Sequence, residues 1–97
     1  MLMGCGGNVC DKTIALYEDA AEQVQRANNK DELRQVERKL NADYSLLLRE
    51  HSAEIAELEQ KAAAGDAKAV EQLEKVRQTK RAYIDIKYAK RKQMDKK

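Results

Sequence analysis

The chain has 97 residues, 42% hydrophobic and 37% charged, with no Pro, Trp or Phe, four Tyr as its only aromatics, and a formal net charge of +2. A chain this short is one small domain at most, and its wealth of Ala, Glu, Lys, Leu and Arg favours long helices or coiled coil. Such a chain builds seams between helices rather than a thick core around an internal pocket, and no apolar run is long enough for a helical membrane span.

Three helices are predicted in chain order, over about residues 11–27, 30–63 and 67–93. The first opens at Asp11, an N-cap type, and carries Ile14, Tyr17, Ala21 and Val24 as one stripe at helical spacing. Asn28-Asn29 ends it, and Asn29-Lys30-Asp31-Glu32 reads as a capping box with Asn in the Ser/Thr position. The second helix carries the longest stripe: Leu33, Val36, Leu40, Tyr44, Leu47, His51, Ile55, Leu58 and Ala62. Uninterrupted, it would be roughly 50 Å long at about 1.5 Å per residue. Gly65 fits the position just past its end and Asp66 the next N-cap. The third stripe is Val70, Leu73, Val76, Thr79, Tyr83 and Ile86, with Arg91–Lys97 expected to fray.

Short turns favour antiparallel neighbours. Folding at Gly65 sets Leu58 against Leu73, Ile55 against Val76, His51 against Thr79, Leu47 against Tyr83 and Tyr44 against Ile86. Folding at Asn28-Asn29 sets Val24 against Leu33, Ala21 against Val36 and Tyr17 against Leu40. The fold class is therefore all-α: an antiparallel helical hairpin with a shorter third helix, an uneven up-down three-helix bundle. It is three-layered where the first helix lies and a thin two-helix hairpin around Gly65. That thin end buries little and invites a partner, including a second copy through Ile55, Leu58, Val70 and Leu73.

Charge is unevenly spread. Residues 11–73 carry nine Lys/Arg against 14 Asp/Glu, and residues 74–97 carry ten against three. The third helix is thus basic, and Lys80, Arg81, Lys87, Lys90, Arg91 and Lys92 are the candidate polyanion contacts, for nucleic acid or anionic lipid. The competing expectation is that Glu18, Asp19 and Glu22 of the first helix satisfy these charges within the molecule, each pair worth little, or that the charges are simply solvated. Tyr83 and Tyr88 are the aromatics within this stretch.

The first ten residues, MLMGCGGNVC, hold both cysteines and three of the four glycines. Cys5 and Cys10 make half a zinc site at best, and their spacing also permits a local disulfide in an oxidising compartment. The stretch Leu2-Met3-Gly4-Cys5 resembles a lipobox, the cleavage site of bacterial lipoprotein precursors, with an aliphatic residue at −3, Gly at −1 and then the lipidated Cys. Met3 departs from the usual small or aliphatic occupant of −2, and the given residues before Cys5 do not include the charged region or most of the hydrophobic region of a signal sequence. The resemblance implies a lipid on Cys5, a flexible tether over Gly6-Gly7-Asn8-Val9, stable anchoring by two or three acyl chains, and, with Gly6 rather than Asp at +2, the outer membrane. Residues 1–10 are then the remnant of the signal and tether, and residues 11–97 the single helical domain. The ending Lys96-Lys97 is similar to that of murein lipoproteins, which attach to peptidoglycan through a terminal Lys, but those are single coiled-coil helices and this chain has two breaks. The glycines are not a phosphate loop, lacking its G-K-[ST] ending.

His51 is the only histidine and sits on an apolar stripe without a nucleophile beside it, so it reads as a seam residue. Glu54, Glu57 and Glu59 lie off that stripe and read as a solvated face. No catalytic constellation, metal set or cofactor motif emerges. The expected function is therefore non-enzymatic: a membrane-anchored envelope lipoprotein, facing periplasm or exterior, acting as a helical adaptor for an unidentified protein partner or as a homodimer. The alternative is a cytoplasmic helical module that binds nucleic acid or a partner coiled coil through the basic third helix.

Overall fold

Helix-forming residues run almost without interruption from Val9 to Asp95, and the computed structural model, which describes residues 9–95, is helical over nearly all of them. Four helices are present among the described residues: α1 Val9–Arg26, α2 Lys30–Glu50, α3 Ser52–Ala63 and α4 Ala67–Asp95. The all-α architecture matches expectation. The count of three does not, because the expected second helix, 30–63, is broken at His51.

Local chemistry explains the two turns that were expected. The Asn29 side chain accepts the Glu32 N–H at 2.9 Å, and the Glu32 carboxylate accepts the Asn28 N–H at 2.7 Å. This is a capping box whose return bond lands one residue early. At the other turn Gly65 has φ +94°, a conformation costly for any residue with a Cβ. The Asp66 N–H reaches the Lys61 carbonyl and the Gly65 N–H that of Ala62, the paired bonds of a Schellman motif. The Asp66 carboxylate then accepts N–H bonds from Lys68 and Ala69 to start α4.

The break at His51 was not expected. Its φ and ψ are −119° and 24°, outside the helical region. Backbone bonds from His51 N–H to Leu47 and from Ile55 N–H to the His51 carbonyl persist across it, so the chain unwinds locally rather than forming a loop. The reason lies in packing. α2 leans mainly on α1, whereas α3 leans mainly on α4, so one apolar stripe must turn to face two different neighbours.

The break also resets the register. In the hairpin Leu58 and Leu73 share a cluster, as expected. Beyond His51, however, Lys80 bonds to Tyr44, where the sequence register sets Ile86, six positions further along α4. The same slip brings Lys87 to Glu37 and Lys30 to Asp95.

Two clusters form the core. Ala20, Val24, Ala27, Leu33, Leu40 and Tyr83 are buried together in the three-helix half. Val9, Cys10 and Leu47 are buried together at the start of α1, with Ile55, Leu58, Leu73 and Val76 packed against them. Tyr17 meets both Tyr44 and Tyr83 edge-to-face, with centroids 5.6 Å apart in each pair, a favoured aromatic geometry. The body is elongated, 49 × 23 × 22 Å.

Two boundaries differ from expectation. α1 begins at Val9 rather than residue 11, so Val9 belongs to the core and not to a tether. At the C-terminus α4 continues through Arg91–Asp95 instead of fraying at Arg91, since Met94 packs on the main cluster and Asp95 pairs with Lys30.

Candidate interaction surfaces

The first surface lies where α1 begins. Among the described residues the α3–α4 hairpin runs on as two helices past Val9, and α3 buries no residue completely. A groove of about 300 Å³ lies there among the described residues, lined by Val9, Cys10, Tyr44, Leu48, Ile55, Leu58, Leu73 and Val76, with Glu59, Arg77 and Lys80 at its edges. Its floor is apolar and its rim is charged, the composition of a protein-binding groove.

A polar node holds this end together. The Val9 N–H donates to one Glu54 carboxylate oxygen at 2.9 Å, and the other oxygen lies 3.2 Å from His51 Nδ1. Glu54 thus sits at the positive end of the α1 dipole, where a carboxylate is favoured. The Val9 N–H bond holds the Glu54 carboxyl below the ordinary glutamate range, with help from His51 and Lys12 and against partial burial. Two sequence expectations change here. Glu54 is a tertiary cap rather than part of a solvated face, while Glu57 does pair in solvent with Lys61. His51 faces Glu54 instead of Thr79, which lies in the α1–α4 groove beside Tyr17.

Cys10 is a buried free thiol. Burial pushes its pKa up, and the carboxylates of Asp11 and Glu54 push the same way, which disfavours the thiolate in this setting. Among the described residues no three of His, Cys, Asp and Glu converge as a metal set. Cys5 and the lipobox-like stretch Leu2-Met3-Gly4-Cys5 lie outside the described residues.

The six candidate polyanion contacts do not share one face. Lys80 is half-buried, bonded to the Tyr44 hydroxyl and stacked 4.4 Å from that ring's centroid. Lys90 donates to the Gln25 carbonyl at the end of α1, where the last carbonyls lack helical partners. Lys87 pairs with Glu37 of α2. The acids of α1 do not supply the expected complement: Glu22 pairs with Arg26, and Asp19 accepts from Gln23. Arg81, Arg91 and Lys92 are exposed. Arg91 also lines a small cleft between α2 and α4 with Lys30, Arg34 and Lys87. The α2 cations escaped the sequence reading because they meet α4 only in the slipped register. The Lys30 hydrogen bond holds the Asp95 carboxyl below its ordinary value.

The outward side of α4 carries Ile84 and Tyr88, 46% and 64% exposed. Comparison with protein-family models, with curated proteins and with solved structures finds no match to this chain.

Proposed function

We propose that the chain is a non-enzymatic, membrane-anchored bacterial envelope lipoprotein whose helical body is an adaptor for a protein partner, facing periplasm or exterior. The groove at the start of α1 is the observation that carries the adaptor reading: an apolar seam of about 300 Å³ edged by charge. Its apolar floor suits the apolar face of a partner helix. The anchor reading rests on Leu2-Met3-Gly4-Cys5, with three residues between Cys5 and the buried Val9. Four residue steps reach about 14 Å at most, so a lipid on Cys5 keeps the groove close to the membrane. The buried Cys10 is consistent with a role in packing.

Expression behind a complete signal sequence in a bacterial host, followed by intact mass and fractionation, tests the anchor. The expected product begins at Cys5, carries acyl chains and sits in the membrane fraction, and Cys5→Ala abolishes all three. An unprocessed, soluble product contradicts it. Sedimentation over a concentration series then separates a heterologous partner from a homodimer through the same seam.

A further inference from the structure

α4 is apolar on two sides. Its inward side, Tyr83 and Ile86, covers the main cluster. Its outward side repeats Arg81, Ile84, Tyr88, Arg91 and Lys92 at helical spacing, and all five are exposed. Ile84 and Tyr88 pack on neither core cluster of the described residues and are among the few exposed large apolar residues there. Among the described residues Arg81 and Lys92 have no hydrogen-bond or ion-pair partner, so two full charges bracket the apolar pair. Opposing charge is thin: Asp85 lies on this side, Glu74 is held by Arg77 and Asp95 by Lys30.

We propose that this face lies on an anionic lipid surface, with Tyr88 and Ile84 at headgroup depth and Arg81, Arg91 and Lys92 on the phosphates. Charge complementarity selects the occupant. Long cationic side chains bury their stems and keep their heads among headgroups, Tyr favours the interface between water and hydrocarbon, and basic residues near an anionic bilayer each add affinity. Two apolar residues are too few for deep insertion, so the contact is electrostatic and shallow. The face orients the body on a membrane, and the inference does not require that Cys5 is acylated.

The test is co-sedimentation of the unacylated full chain with phosphatidylglycerol vesicles and with phosphatidylcholine vesicles. The expected result is partitioning onto phosphatidylglycerol alone, lost at about 1 M salt, where the screening length is about 3 Å. Lys92→Glu is expected to weaken it about tenfold or more, since it exchanges an attraction for a repulsion, and Tyr88→Ala to weaken it less. Lys68→Glu makes the same charge change near the start of α4, off this face, and is expected to stay within about twofold of the parent. Absent partitioning overturns the proposal, and so does an equal loss in Lys68→Glu, which would mean diffuse charge. Release from the vesicles by an equal phosphate concentration of duplex DNA also overturns it, in favour of nucleic acid. None of these outcomes depends on processing at Cys5, so failure here is distinct from failure of the lipoprotein reading.

Discussion

The two halves of this molecule share a composition and a periodicity but not a degree of burial. In the three-helix half Val24 is fully enclosed, and Leu33, Leu40 and Tyr83 are each at most 6% exposed. In the hairpin α3 buries no residue, and Val70 of α4 stays 48% exposed. A helical stripe supplies apolar surface, but burial requires a second and a third neighbour. Among the described residues the hairpin has one neighbour fewer, and its Leu and Ile residues, only partly buried against the second cluster, also line a groove. The fold therefore divides the chain into a part that holds and a part that offers.

The largest expected effect that sharpens this contrast is cavity formation. Leu40→Ala in the closed half is expected to cost about 2–5 kcal/mol, and Leu73→Ala in the hairpin less than half of that, both read by urea denaturation. Equal losses would break the distinction. Next comes the hairpin's own cap: Asp66→Ala removes two N–H acceptances and is expected to cost about 0.5–2 kcal/mol, read first as a loss of helicity by circular dichroism.

A smaller effect concerns Tyr83. Its hydroxyl is buried and finds no hydrogen-bond partner among the described residues, and such a group carries a desolvation penalty of about 1–3 kcal/mol. Tyr83→Phe is expected to leave the melting temperature unchanged or raise it, since the ring contacts to Tyr17 survive. A clear drop would mean that the hydroxyl is bonded after all.

The smallest effect is the pH dependence of the polar node. The folded state holds the Glu54 carboxyl below its ordinary value of 4.5. The stabilisation is therefore present above about 4.5 and is lost as pH falls through the lowered folded value. With the side chain 43% exposed, solvent screens much of it. Glu54→Gln is expected to flatten the acid limb of the stability profile, and an unchanged limb would remove Glu54 from the account.

Much of this fold was legible in the sequence because its punctuation is local. Asn29, Gly65 and Asp66 act through atoms within a few residues, so their roles follow from residue type and spacing. The break at His51 has no such signature, with neither Gly nor Pro there. It falls where the stripe leaves α1 for α4, beside the bond from the start of α1 to Glu54, a contact 45 residues apart in sequence. One undetected break shifts every later pairing. That is why Lys80 meets Tyr44, whereas the basic residues of α4 point to several sides because consecutive positions such as Lys90, Arg91 and Lys92 stand about 100° apart around a helix. Tyr17, Tyr44 and Tyr83 all lie on the expected stripes and all pack on the core, Tyr83 buried and the other two partly so, because a stripe survives a slip in register. The groove was foreshadowed as a thin end, but its rim of Glu59, Arg77 and Lys80 required the folded register.

The central claim, that a closed bundle carries an open hairpin, is tested most directly by residue-resolved amide hydrogen exchange on the unbound chain. Protection is expected to be highest across residues 14–26, 33–47 and 80–94, and lower by at least about tenfold across 52–79, consistent with local opening of a weakly buried unit. Uniform protection across both regions would contradict it, and would mean that the hairpin seam is already covered in the free protein.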